Sequence, residues 1–329
     1  MFLKLLEDLH QKGLVSEKIK AILEVFYESY HHNLITHQIP ADPYEPMFID
    51  FLNLIKEQVL HPFSFQPYHR QICHPFDHYQ FGIDFLKPLV DLSISSAVGL
   101  SHLDEIVEHL KLQHNVILLA NHQTEADPQA ISILLEKTHP EFAKELIFVA
   151  GERVITDPLA IPFSMGRNLL CIYSKRYIDH PPEQKLKKQL HNKRTMELMS
   201  ELLKEGGKSI YVAPSGGRDR PNVDGVVEIA PFDPQSIEMF YLMAKKAAHP
   251  TFFYPLTLAT YDLLPPPQTV QRELGEVRLA KRGGIHLAFG AQIDMEHFPG
   301  SDLQDKHERR KARAEYIWNL VKKDYSQFC

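Results

Sequence analysis

Residues 115–128 read NVILLANHQTEADP. An apolar run ends abruptly at Asn121-His122, polar and small residues follow, and the chain restarts at Asp127-Pro128. A short, wholly apolar run bounded in this way suits a strand buried on both faces, as in a parallel sheet. Asp-Pro suits a helix start, with Asp127 as the cap and Pro128 at the first helical position. The stretch therefore predicts strand, loop, helix. It also sets a histidine and a carboxylate about the loop that joins them.

The same pattern recurs downstream. ELIFVA (145–150), NLLCIY (168–173), KSIYVA (208–213) and TFFYPLTLA (251–259) are further apolar runs. Helical patterns alternate with them: PQAISILLEK after the first run, EQKLKKQLHNKRTMELMSELLKEG after the third and SIEMFYLMAKKA before the fifth. This alternation predicts an α/β unit with a mostly parallel or mixed central sheet flanked by helices. A charged helix over 303–325 closes the chain. Upstream, Leu5, Leu6 and Leu9 share one helical face. Ile19, Ile22, Leu23, Phe26 and Tyr30 share another after a Ser16 N-cap, and Phe48, Phe51, Leu52, Ile55 and Val59 a third. The expected organisation is a small N-terminal helical bundle over 1–75 followed by the α/β domain over 76–329. Residues 61–81, rich in Pro, His and aromatics, read as a packed linker. His74, Asp77 and His78 have spacing that a metal could use, but Pro75 opposes a regular helix and no third ligand is evident, so no metal is assigned.

Composition narrows the function classes. Lys and Arg number 36 against 42 Asp and Glu, a formal net charge of −6, which gives no global reason to bind nucleic acid. Three cysteines, Cys73, Cys171 and Cys329, fit neither a disulfide framework nor a zinc ribbon, as expected of a reducing compartment. The start, MFLKLLEDLHQKG, lacks secretory or transit-peptide character. No apolar run reaches the ~18–20 residues that span a bilayer. The expectation is a cytoplasmic protein without a transmembrane segment, with plastid stroma as the alternative.

Ligand sites in open α/β sheets lie outside the carboxyl ends of the strands. There the sequence places NHQTEADP, then Ser174-Lys175-Arg176, then PSGGRDRP. His122 and Asp127 are five apart, about 140° around a continuous helix, so a turn must bring them together. A carboxylate on one imidazole nitrogen fixes the tautomer and leaves the other nitrogen to act as a base. Lys175, Arg176, Arg218 and Arg220 supply four cations, whose geometry suits phosphate oxygens. Gly216-Gly217 allows a tight turn near a ligand. A histidine base beside a phosphate cradle, without G-x-S-x-G or a P-loop, points to deprotonation of a phosphorylated alcohol. The bland alternatives are a plain helix cap at Asp127 and solvated charges in the two loops.

NHQTEAD (121–127) fits the H-x4-D motif of glycerolipid acyltransferases. VAGERVITDPLAIPFSMGRNLLCIYSKR (149–176), IYVAPSGGRDRP (210–221) and HPFDHYQFGIDFLKPLVD (74–91) resemble the soluble glycerol-3-phosphate 1-acyltransferases of plant plastids and their bacterial relatives. The resemblance covers roughly residues 70–260. It implies His122 and Asp127 as catalytic pair and Lys175, Arg218 and Arg220 at phosphate-binding positions. Arg176 stands where the plastid enzymes carry histidine. FFYPLTLA (252–259) resembles the block that lines the pocket. The implied reaction is acyl transfer from an acyl-acyl carrier protein, or acyl-CoA, to the 1-hydroxyl of glycerol 3-phosphate, with no cofactor. Backbone amides near Pro128 are candidate oxyanion donors. QKLKKQLHNKR (184–194) and KHERRKAR (306–313) are candidate surfaces for an acidic carrier. The rivals are a 1-acylglycerol-3-phosphate acyltransferase and a non-catalytic phospho-ligand binding protein.

Overall fold

The sheet is built on the run that opens the reading. In the computed structural model, which describes residues 1–174, 178–267 and 275–328, Asn115–Ala120 forms strand β3 with every residue buried. Val116, Leu118 and Ala120 face one apolar layer, and Ile117 and Leu119 face the other. A strand covered on both faces has no polar side to alternate with, which is why its sequence is apolar throughout residues 116–120. Lys175, Arg176 and Cys329 lie outside the described residues.

The other expected runs form β4 (Ile147–Gly151), β5 (Asn168–Ile172), β6 (Ser209–Val212) and β9 (Thr251–Ala259). Three short strands complete the sheet: β1 (Tyr68–His69), β2 (Ser96–Val98) and β10 (His286–Phe289). The strand order is β1-β5-β4-β6-β3-β9-β10-β2. The five long strands are parallel to their neighbours among themselves. β10 runs antiparallel to β9 and β1 antiparallel to β5, so the sheet is mixed at its flanks. A separate hairpin pairs β7 (Arg220–Pro221) with β8 (Val227–Glu228).

Helices α5 (Leu100–Lys111), α6 (Asp127–Leu135) and α7 (Pro140–Glu145) cover one face through Leu103, Ile106, Ile131, Leu135 and Phe142. After β4 come the short helices α8 (Glu152–Thr156) and α9 (Ile161–Ser164). The opposite face carries α10 (Lys185–Glu205), α11 (Pro234–Lys245) and α12 (Lys306–Tyr325), through Met199, Leu202, Ile237, Phe240 and Ile317.

The N-terminal helices are α1 (Phe2–Gln11), α2 (Glu17–Thr36) and α3 (Glu45–Leu60). Ser16 is the N-cap of α2, its side chain accepting from Ile19 N at 3.3 Å. The expected faces are buried except at their margins: Val59 is 37% exposed and Leu5 and Ile19 are only half-buried, Phe2 taking the inward place on α1. The bundle's core runs into the rest of the chain. Phe26, Phe48 and Phe51 pack on Phe85 of α4 (His78–Leu86), which in turn meets Phe163. The 61–81 segment packs as well. His78 is buried with Nδ1 2.9 Å from Pro162 O, and Asp77 caps α4 by accepting from Gln80 N at 3.0 Å.

Candidate active site

Strand β3 delivers His122 to the carboxyl edge of the sheet, and Asp127 returns to meet it. His122 Nδ1 lies 2.7 Å from Asp127 Oδ2; the imidazole is 31% exposed and the carboxylate 2%. One ring nitrogen is thus held inside while the side chain keeps an open edge.

Asp127 does this differently from the expected cap. Ala126 is the N-cap residue of α6 and makes no side-chain cap bond; Asp127 is the first helical residue. Its carboxylate turns back into the loop. Oδ2 also accepts from Gln123 N at 2.9 Å, and Oδ1 accepts from Thr124 N at 3.1 Å, Thr124 Oγ1 at 3.3 Å and Thr260 Oγ1 at 2.6 Å. A buried carboxylate with this many donors stays fixed in place, and charge-assisted bonds are the strong ones. Gln123 N and Thr124 N are thereby occupied. Ala126 N donates to Thr124 Oγ1 and Asp127 N to Thr124 O, so these four loop amides are engaged internally.

Beneath the pair lies a polar clamp that the sequence did not announce. Asn121, on the sheet side of His122, exchanges bonds with β9, donating to Leu258 O at 2.9 Å and accepting from Leu258 N at 2.8 Å. Gln123 Oε1 accepts from Thr260 N at 2.6 Å and Tyr261 N at 2.9 Å. Both side-chain amides donate to Asp219 Oδ2, at 2.8 Å from Asn121 and 3.2 Å from Gln123. Asp219 Oδ1 accepts from Ala230 N at 2.9 Å, and Asp219 N donates to His122 O at 2.7 Å. Asp219 is fully buried, and burial pushes its carboxyl up to about 6. It is the joint between the loops after β3 and β6, and it ties the backbone of the Arg218–Arg220 segment to that of His122.

The two described cations sit in a dense ionic cluster. Arg218 is 12% exposed and donates from Nη2 to both oxygens of Glu276, at 2.9 and 2.6 Å; its Nη1 is 3.9 Å from Glu125 Oε1. Arg153, from α8 after β4, pairs with the same Glu276. Arg278 joins Glu125, 2.9 Å from Nη2, to Asp157 at 3.0 Å. Burial opposes the charge on Glu125, yet Arg278 and then Arg218 hold its carboxyl below the usual range. Arg220 donates from Nη1 to Asp219 O at 3.3 Å, while its Nε is buried without a partner among the described residues. Gly216 takes a φ of +64°, the left-handed turn the loop requires. Arg153, Glu276 and Arg278 were not foreseen. Arg153 had a visible signal, because ELIFVA also turns polar as its apolar part ends.

The expected carrier surfaces are partly neutralised. On α10, Lys188 is buried against Glu152 at 3.0 Å, and Arg194 faces Glu197 and Glu201. On α12, Arg313 and Arg310 share Glu238. Lys187 and Lys193 are exposed, Lys193 with Glu197 3.9 Å away. A cavity of about 800 Å³ opens at the opposite, amino ends of the strands, lined by Tyr68, Arg70, Asn168 and Ser209. Its lining includes neither His122 and Asp127 nor Arg218 and Arg220. Among the described residues, no group of three or more His, Cys, Asp or Glu could hold a metal ion, and no helix is long and apolar enough to cross a membrane.

Comparison with known proteins adds the family. A family model described as Acyltransferase matches residues 102–259. The chain is 39% identical over 265 residues to the chloroplastic glycerol-3-phosphate acyltransferase of Arabidopsis thaliana, covering 80% of this chain and 58% of that one. It is 36% identical over 321 residues to the chloroplastic enzyme ATS12 of Cucurbita moschata, covering 96% and 69%. With the chloroplastic enzyme of Spinacia oleracea the identity is 40%, covering 85% and 59%. Among solved structures, the 1-acyl-sn-glycerophosphate acyltransferase of Thermotoga maritima gives a TM-score of 0.42 at 17% identity, over 76% of this chain and 78% of that one.

Proposed function

The chain belongs to the glycerol-3-phosphate acyltransferase family, and we propose that it transfers a fatty acyl group from a thioester to the 1-hydroxyl of glycerol 3-phosphate. The observation that carries the proposal is the 2.7 Å His122–Asp127 pair, with Arg218 and Arg220 on a loop bonded to the same strand end.

Asp127 holds the proton on Nδ1, which leaves the lone pair of Nε2 for the acceptor hydroxyl. As the hydroxyl oxygen attacks the thioester carbonyl, Nε2 takes its proton. The imidazolium is stabilised by the buried carboxylate. Collapse of the tetrahedral adduct breaks the carbon–sulfur bond, and the imidazolium returns the proton to the departing thiolate. The products are 1-acylglycerol 3-phosphate and the free thiol. General-base assistance of this kind contributes about 10²–10⁴-fold. Arg218 and Arg220 hold the phosphate, together with Lys175 and Arg176, and so fix the hydroxyl near the carbonyl, an entropic gain that can be larger.

The donor we favour is acyl-acyl carrier protein. An acidic carrier would meet the exposed lysines of α10 such as Lys187 and Lys193. The names of the relatives support a stromal setting beside the cytoplasmic one expected from sequence. The test is an assay with labelled glycerol 3-phosphate, comparing carrier-protein and CoA thioesters. Acylation of glycerol 3-phosphate is expected, with the carrier thioester preferred. Transfer only to the 1-acyl derivative, or binding without turnover, overturns the proposal.

A further inference from the structure

Arg218, one of the arginines assigned to the phosphate, is already occupied by an acid of the chain. Glu276 is 3% exposed, and its carboxylate takes Arg218 Nη2 on both oxygens and Arg153 on one. The segment that bears it is pinned on either side. Gly275 N donates to Asp157 Oδ2 at 3.2 Å, and Arg278 is fastened to Glu125 and Asp157. Beyond, the N-terminal bundle holds the backbone: Ser29 Oγ accepts from Ala280 N at 3.0 Å, and Asn33 bonds Ala280 O at 2.9 Å and Arg282 N at 3.0 Å. Glu276 is therefore delivered to the carboxyl ends of β4 and β6 by a fixed strap.

This acid is smaller than the need around it. Among the described residues, four arginines (Arg153, Arg218, Arg220 and Arg278) face three carboxylates (Glu125, Asp157 and Glu276). Arg153 Nη2 and Arg220 Nε are buried with no hydrogen-bond partner among the described residues. Arg220 also has its charge disfavoured, first by burial and then by Arg218, with Arg153 adding to the repulsion and Glu276 opposing it. A carboxylate offers two oxygens and one negative charge. A phosphate monoester offers three oxygens and nearly two charges. It could fill donors that Glu276 leaves empty.

We propose that Glu276 is an internal stand-in for the substrate phosphate, competing with it for Arg218, and that Arg153 is a further phosphate-binding residue. The proposal rests on the acyltransferase reading above, because it takes Arg218 as a phosphate ligand. When the phosphate enters, Arg218 and Arg153 exchange the carboxylate for phosphate oxygens. In the empty site Glu276 keeps the guanidinium groups from repelling one another. Its resident charge also sets a threshold that a neutral polyol cannot overcome, so only a phosphorylated acceptor gains by displacing it.

The alternative role, a permanent brace that aims Arg218 at the phosphate, predicts the opposite sign. Glu276→Gln and Glu276→Ala in the full chain are titrated calorimetrically with glycerol 3-phosphate and with inorganic phosphate. The expected result is binding tighter than wild type by on the order of tenfold, about one charge-assisted hydrogen bond. Arg153→Gln should bind both ligands more weakly. Because the variants lose a counter-ion, melting is followed as well. Inorganic phosphate should raise the melting temperature of Glu276→Gln by more than it raises that of wild type. Unchanged or weaker binding in the Glu276 variants, a phosphate-induced shift no larger than wild type, or a variant that phosphate does not restore to the folded state overturns the inference. If wild type acylates glycerol 3-phosphate and the variants still fail these tests, this inference falls alone. If wild type neither binds nor acylates it, the proposed function falls first.

Discussion

Replacement of Asp127 by Asn separates a catalytic carboxylate from a structural one, and the geometry fixes what to expect. The carboxylate is ringed by donors: His122 Nδ1 and Gln123 N on Oδ2, and Thr124 N, Thr124 Oγ1 and Thr260 Oγ1 on Oδ1. An amide has one oxygen to offer, so its NH2 must face one of these sets. With NH2 toward Thr124 and Thr260, one backbone amide is stranded and two hydroxyls must reorient. With NH2 toward His122, Gln123 N is stranded, but the imidazole adapts by moving its proton to Nε2. The second arrangement disturbs fewer partners and is the one expected. It converts His122 into the wrong tautomer and removes the negative charge that supports the imidazolium.

The loss in turnover should be about 10³- to 10⁴-fold, equivalent to ~4–5.5 kcal/mol of barrier. The stability cost should be far smaller, ~1–3 kcal/mol for one stranded buried amide. The assay is steady-state transfer to labelled glycerol 3-phosphate, paired with thermal or urea unfolding of the same preparations. Phosphate affinity should be unchanged, because Arg218 and Arg220 do not touch Asp127. A folded variant whose turnover falls less than tenfold would refute the tautomer argument and reduce Asp127 to a loop staple.

Three further outcomes follow from other parts of the structure. Arg218→Lys replaces a guanidinium by a point charge and should raise the KM for glycerol 3-phosphate about tenfold with little change in kcat; unaltered kinetics would remove Arg218 from the site. Asp219 has a folded-state carboxyl raised to about 6, above its ordinary 3.8. Between these values the folded protein holds a proton that the unfolded chain has released, so its stabilising contribution is complete below pH 4 and is lost as pH rises through 6. Wild type should therefore lose ~3 kcal/mol relative to Asp219→Asn between about pH 4 and pH 6.5, and a pH-independent difference in unfolding free energy would contradict this. Phe85→Ala empties a fully buried site between the bundle and α9, where Phe85 meets Phe26, Phe48 and Phe163. It should cost ~3–5 kcal/mol, read as a single shifted transition if bundle and sheet unfold together.

What could be read from the sequence and what could not divide along a physical line. The long strands were visible because burial on both faces leaves an unbroken apolar run, as in residues 116–120 of β3. The flanking strands β1 and β2 have two and three residues, too short for any periodicity, and β10, four residues like β6, was not picked out, so the additions that run against the central strands stayed hidden. His122 and Asp127 were legible because both lie in one loop and their spacing demands a turn. Asp127 was misread as the cap because the Asp-Pro pair looks the same whether the carboxylate points into the helix or back into the loop. Glu276 and Arg278 had no local signal. They meet Arg218 and Glu125 across more than fifty and one hundred and fifty positions respectively, and only the sheet order brings them together.

The clamp beneath the histidine explains why the site is built from adjacent strands. β6, β3 and β9 are consecutive in the sheet. Asp219 follows β6, Asn121 and Gln123 follow β3, and Leu258 and Thr260 belong to β9 and its end; each pair of neighbours is cross-linked by side-chain-to-backbone or side-chain bonds. A base needs its position fixed to within a fraction of an ångström. Loops alone supply this poorly, because their backbone groups face water and they move. Here the polar side chains at three strand ends bond one another in a region that water does not reach. In such a place each bond is stronger, and each missing partner more costly, than at the surface. The rigidity that aims His122 therefore comes from the sheet, through Asn121 and Gln123 on either side of it. The His122 ring itself stays partly exposed above this buried clamp.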